Sequence, residues 1–256
     1  GAVIRSISKD IRIAPDRLNS FSLRGPGSLQ VQAGTRFEIE MIAKDMHGNT
    51  ITEPINGKGV SLTFKGEAEP KLDMGSIPDF INGMSFARLV SNKAGTFVLE
   101  ARDVATGSAG VSDTIEVISA PLHSFKIFAP LTVSAGDPFE VSIVAVDQFD
   151  NPVVNPALSG DKVMLTMGKV KPVHATIPTY QFVYGQSKVE LHYDVPENIS
   201  IIATDGNRRY VGRSEMIKVV PVVPGRFEVK TPDSAIAGQK FKMLITAYNQ
   251  AGNIMK

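Results

Sequence analysis

The chain has no cysteine and no tryptophan among its 256 residues. Without cysteine, no disulfide holds the fold, and no thiolate serves as nucleophile or metal ligand. Aromatics make up only 7% of the residues, so stacking surfaces for bases or sugar rings are few. Charge of one sign is missing too: 27 Lys and Arg stand against 26 Asp and Glu, a net of +1. No basic excess is left to neutralise phosphates, which removes the electrostatic footprint of a nucleic-acid binder. No apolar run approaches the roughly 20 residues a membrane-spanning helix needs. No leader peptide is visible at Gly1, so the chain reads as cytosolic, mature or a cut fragment. No segment sustains a 3.6-residue apolar period with caps, which argues against helices.

What is present is one pattern written three times. "AGTRFEIEMIAKDMHGNTI" begins at Ala33, "AGDPFEVSIVAVDQFDNPV" at Ala135 and "AGQKFKMLITAYNQAGNIM" at Ala237. Gly34, Gly136 and Gly238 are 102 residues apart each time, as are Phe37, Phe139 and Phe241. The same spacing relates Gly83 to Gly185, Ala101 to Ala203 and Asp103 to Asp205. Upstream, Leu18–Phe21 matches Leu122–Phe125 at an offset of 104, which places a two-residue loop insertion at "RGPGS", Arg24–Ser28. "ISKDIRIAP" from Ile7 aligns with "VSDTIEVIS" from Val111 at the same 104. A repeat of this length means an array of modules. The alignment predicts a last strand and linker of a preceding module over 1–17. It predicts whole modules over 18–120 and 121–221, and the first strands of a truncated third over 222–256.

Within each copy, alternate residues are apolar: Phe37, Ile39, Met41 and Ala43, then Phe139, Val141, Ile143 and Ala145, then Phe241, Met243, Ile245 and Ala247. A period of two puts them on one face of a strand. One buried and one wetted face is the antiparallel, sandwich-type pattern. Each strand runs into an Asp/Asn/Gly cluster that turns the chain through side-chain to backbone hydrogen bonds. Further strands read "VSLTF", "SFARLV", "TFVLEA" and "TIEVIS" in one module, and "VMLTM", "KVELHY", "ISIIAT" and "MIKVV" in the next. With the opening "SFSL" or "SFKIFA", that gives about seven strands per module, the count of an immunoglobulin-like sandwich. The expected fold is all-β, with a core of aliphatics and Phe.

The pattern "AG-x-x-F-x-[IVM]-x-[IM]-x-A-x-[DN]-x-x-[GD]-N-x-[IV]" resembles the opening of bacterial immunoglobulin-like modules, those of surface-layer proteins and of invasin- and intimin-type adhesins. It is also similar to the opening of filamin repeats. The resemblance implies tandem sandwiches in an extended array, and a structural, non-catalytic segment of a bacterial cell-surface protein, first of a surface-layer or envelope lattice. The alternatives it implies are the stalk of an adhesin, or a spacer or carbohydrate-binding region of a secreted hydrolase. Expected partners are copies of itself, neighbouring modules, a surface glycan or a host protein, outside the cell. Short junctions containing proline, "SAPLHSF" (Ser119–Phe125) and "PVVPGRF" (Pro221–Phe227), favour a stiff passage between modules.

Catalytic patterns are missing. His47, His123, His174 and His192 are too far apart for zinc spacing. "GMSFA" and "GRSEM" lack the second glycine of a nucleophile elbow, and "RGPGS" is not a phosphate loop. No catalytic, cofactor or metal residue is expected. Asp45, Asp147, Asp103 and Asp205 each end a strand, and Asp150 stands beside Asn151. They allow two readings: calcium at module junctions, or carboxylates bonding turn amides. Asn249 in the third copy favours the second, because Asn caps a turn well but binds calcium poorly. Asn198-Ile199-Ser200 is a formal N-glycosylation triplet. Tyr180, Phe182 and Tyr184 alternate in "TYQFVYG"; on a strand they share one face, as a sugar platform or as core. In 222–256, Phe241, Met243 and Ile245 form an open apolar face. Two strands alone are marginal, so two outcomes are expected: this segment pairs with a neighbouring molecule, for example through a 1–15 tail, or residues beyond 256 complete it.

Overall fold

The computed structural model describes residues 9–154, 156, 158, 161–249, 252, 254 and 255. Over these residues the protein is all-β, interrupted by two 3-10 turns, Gly57–Gly59 and Thr179–Gln181. The chain divides into two compact units, Gly1–Ala120 and Pro121–Lys256.

The first unit contains β1 (Ser20–Arg24), β2 (Gln30–Gln32), β3 (Arg36–Lys44), β4 (Val60–Gly66), β5 (Lys71–Leu72), β6 (Met84–Val90), β7 (Gly95–Asp103), β8 (Ala109–Val111) and β9 (Ile115–Ile118). One sheet has β7 between β4 and β9, with β2 beyond in parallel. The other runs β1-β3-β6-β5. β8 bonds both β7 and β1 and so joins the two. The alternation read from the sequence is the core: Phe37, Ile39, Met41 and Ala43 are all buried. Leu89, Phe97, Leu99 and Ile115 are buried as well, and the Phe37 and Phe97 rings lie 6.1 Å apart. Each of the Phe, Ile, Leu and Met side chains contributes about 1.5–3 kcal/mol on leaving water. Residues 9–16 form no strand; the remainder of the tail strand expected from the alignment, residues 1–8, lies outside the described residues.

The second unit repeats the plan. Its strands are β10 (Ser124–Phe128), β11 (Thr132–Ser134), β12 (Phe139–Val146), β13 (Lys162–Met167), β14 (Val173–Pro178), β15 (Gln186–Leu191), β16 (Asn198–Ile199), β17 (Ile202–Thr204), β18 (Val211–Arg213) and β19 (Ile217–Val220). They form the sheets β10-β12-β15, β11-β19-β16 and β14-β13-β17-β18. The two extra residues of the first copy lie where expected, between β1 and β2. "ISIIAT" is two strands, not the single one expected. The reason is a change of partner that both units share. β7 bonds β9 at Gly95–Phe97, then β8 at Glu100–Arg102. At the changeover Leu99 N–H donates to Ser112 Oγ (3.0 Å), and Ser112 N–H donates to the Leu99 carbonyl (2.9 Å). Ile201 and Ser214 make the same two bonds at 2.8 Å each.

After β19 come β20 (Pro224–Lys230) and β21 (Leu244–Asn249), an antiparallel pair. Phe227 is opposite Ala247, as Phe21 is opposite Ala43 and Phe125 opposite Ala145. The apolar face is open: Phe227 is 63% exposed and Ile245 59%. Phe241 and Met243 are exposed as well.

Candidate functional site

The aspartates that end β3 and β12 are buried and saturated by their own turns. Asp45 Oδ1 accepts the N–H of His47 (2.9 Å) and of Asn49 (2.8 Å). Its Oδ2 accepts the Asn49 side-chain amide (2.9 Å) and the Asp16 N–H (3.1 Å). Asp147 takes the N–H groups of Phe149 and Asn151 and the Asn151 side chain, at 2.8–2.9 Å. The Asn49 side chain first, then the backbone donors, holds the Asp45 carboxyl down at about 2. A carboxylate that accepts several N–H bonds behaves this way. This is the turn-capping arrangement.

Asp103 Oδ2 accepts the Thr106 N–H and hydroxyl, at 2.8 and 2.6 Å. In its counterpart, Asp205, Oδ1 accepts the Tyr210 N–H (3.0 Å), and Oδ2 is buried without a hydrogen-bond partner. Among the described residues, no group of three or more His, Cys, Asp or Glu converges to hold a metal. All four histidines are exposed. His174 Nδ1 lies 3.2 Å from the Thr166 hydroxyl.

The two serines of the incomplete nucleophile patterns are buried parts of the framework. Ser85 Oγ donates to the Pro78 carbonyl (2.7 Å), and Ser214 Oγ donates to the Glu215 carbonyl (2.7 Å) while accepting from Ile201. In the glycosylation triplet, Asn198 is exposed on β16, and Ser200 Oγ accepts from Arg213 (2.9 Å).

The aromatic run "TYQFVYG" is not a strand with one shared face. The chain turns at Thr179–Gln181 and again at Tyr184-Gly185, so the three rings separate. Phe182 is 9% exposed, and its ring is 6.2 Å from Phe125 in the core. Tyr180 and Tyr184 point outward, 80% and 75% exposed.

A cleft of about 880 Å3 lies within the second unit, between the end of its sandwich and the β20–β21 hairpin. Asp137, His192, Asp194, Pro196, Val222 and Asn249 line it. Asn249 Nδ2 donates to Asp137 Oδ1 at 2.8 Å across it. No sequence motif marks this cleft; its residues come from separate loops, and only the fold gathers them.

No protein-family model matches the chain, and no curated protein sequence matches it. Solved structures do. FdeC, an Escherichia coli adhesin, is 19% identical with a TM-score of 0.42, over 81% of this chain and 67% of that one. InvE, an adhesin of Yersinia pseudotuberculosis, is 15% identical with a TM-score of 0.36, over 78% of this chain and 58% of that one. The FN1–FN3 domains of chicken CNTN1 are 10% identical with a TM-score of 0.41, over 91% and 76%. The chain thus spans about two thirds of the first adhesin and less of the second.

Proposed function

We propose that the chain is a non-catalytic segment of a bacterial cell-surface protein, a run of immunoglobulin-like modules that sets distance and bears load outside the cell. One observation carries the reading: what the copies repeat is framework. The Asp–Asn turn, the serine at the strand changeover and the facing of Phe on Ala recur at 102–104 residues. The carboxylates of Asp45, Asp103 and Asp147 and the hydroxyls of Ser112 and Ser214 are occupied by backbone or turn partners. Among the described residues, no three His, Cys, Asp or Glu side chains converge as a metal site. Residues 222–256 are the opening of a third module. The β20–β21 register matches that of β1–β3 and β10–β12, which supports this reading.

A lattice subunit of the envelope and an adhesin stalk both use such a segment. Antibody labelling and protease treatment of intact source cells test the location. The proposal expects the segment to be stained and cleaved without permeabilisation. Signal only after lysis would sink it.

A further inference from the structure

The two modules share one turn and differ in the residue that occupies it. In the first, Ile81 and Met84 bridge across Asn82 (φ 50°) and Gly83 (φ 78°). In the second, Val183 and Gln186 bridge across Tyr184 (φ 50°) and Gly185 (φ 74°). Both central residues are left-handed, which makes a two-residue type I′ hairpin turn, for which Asn-Gly is the favoured pair. The glycine is dictated by space: a Cβ on Gly83 or Gly185 would lie 2.2 Å from the carbonyl oxygen of Ile51 or Val153. Nothing in the fold dictates the tyrosine. A bulky side chain in the left-handed region strains the backbone, and the Tyr184 ring is in solvent, where no packing offsets that strain. A local rule broken without internal compensation points to a role outside the fold.

Tyr180 is a second outward phenol, exposed on the 3-10 turn where the first module has Pro78. Between the two tyrosines, Phe182 fixes the loop to Phe125, as Phe80 is fixed to Phe21 at 5.5 Å. The loop is therefore a firm mount with two phenols outside it. From Pro178 to Ser187 it carries no charged residue, only Thr179, Gln181, Gln186 and Ser187 besides the apolar and aromatic side chains. Flat rings with a hydroxyl at the tip stack on the C–H face of a sugar and bond its hydroxyls. A loop without charge suits a neutral ligand.

We propose that the loop Pro178–Ser187 of the second module binds neutral carbohydrate, with Tyr180 and Tyr184 as its stacking residues. This goes beyond the spacer reading, and either fails without the other. The test is NMR titration of the whole chain with neutral cello-, chito-, manno- and galacto-oligosaccharides at millimolar concentration. The expected result is saturable binding of at least one, with shifts confined to Tyr180, Tyr184 and the residues between. Tyr180→Ala and Tyr184→Asn should each weaken it at least tenfold, and Tyr184→Phe should keep most of it. Tyr184→Asn installs the sister module's residue, so its Tm should equal or exceed that of the parent chain, which separates lost binding from lost folding. No saturable binding to any of the four, shifts centred on another surface, or unchanged affinity in both variants would overturn the proposal.

Discussion

In the first module β5 leaves β4 and joins β6, through Lys71 opposite Val90 and Leu72 opposite Leu89. In the second module the corresponding β14 folds back on β13 for six residue pairs, from Lys162–Pro178 to Met167–Val173. The core strands on either side are alike, so the cause lies in the turn between. In the second module Glu197 Oε1 accepts the N–H of Lys169 and of Val170, both at 3.1 Å. The Tyr193 hydroxyl also donates to Glu197. A Cβ on Gly168 would lie 2.5 Å from the Tyr193 ring, so the turn is closed tightly over it. Ser91 and Gly95 occupy those positions in the first module. There Glu67 N–H bonds the Thr96 carbonyl instead (2.8 Å), Asp73 N–H bonds the Arg88 carbonyl (2.8 Å), and the chain crosses to the other sheet. A single two-residue clamp thus decides which sheet a strand joins, while the framework around it stays fixed.

The sharpest way to break the symmetry is at β8 and β18. A Cβ on Gly110 would fall 1.9 Å from the Phe21 carbonyl oxygen, and one on Gly212 would fall 2.2 Å from that of Phe125. Backbone cannot yield as a side chain does. Gly212→Ala should cost the second module about 3 kcal/mol or more. Denaturant unfolding followed by NMR should show the first module unchanged. Gly110→Ala should do the reverse.

Next in size is the serine at the changeover. Ser112→Ala and Ser214→Ala each orphan a buried N–H, of Leu99 or Ile201, at a cost of about 1–3 kcal/mol. Similar losses in the two modules, measured by shifts in the urea midpoint, would support a shared device. A loss in one alone would refute it.

The clamp should separate the modules. Tyr193→Phe should loosen β14 and raise hydrogen exchange across Ala175–Ile177, with no change in β5. The Tyr193 hydrogen bond, then the Val170 N–H, lowers the Glu197 carboxyl, and burial, then Glu197, raises the Tyr193 phenol. The folded pKa of Glu197 is depressed, so its contribution is present above the unfolded value. It is lost as pH falls through the folded one, and β14 should therefore loosen in acid before β5 does.

The smallest effect expected is at Asp45. Its folded pKa is about 2 against an ordinary 3.8, so the turn contributes stability above about pH 4 and loses it between pH 4 and 2. Asp45→Asn should remove that acid-dependent part of the first module's thermal unfolding.

The sequence was most readable where strands were long. Nine residues of β3 alternate four times, and Phe37, Ile39, Met41 and Ala43 are the core they announce. It was silent where strands have two or three residues: β2, β5 and β8 are too short for a period to show. The Asp turns were legible because Asp, Gly and Asn have local preferences, and Asn249 tipped the balance toward turn bonding. Ser112 and Ser214 were not, because their role depends on a strand 13 residues away changing partner. "TYQFVYG" misled for the converse reason. Its alternation is real in the sequence, but a 3-10 turn and a hairpin turn break the backbone that would express it. Two tyrosines therefore go outward, and Phe182 alone goes in.

Single-molecule stretching of the chain tests most directly whether it is built of modules that fold on their own. Two separate unfolding events are predicted, each releasing about 30 nm, the length of some 100 extended residues less the folded span. Gly212→Ala should weaken or remove one event and leave the other intact. A single event that releases the whole chain at once, or one in which Gly212→Ala lowers both forces together, would contradict the account.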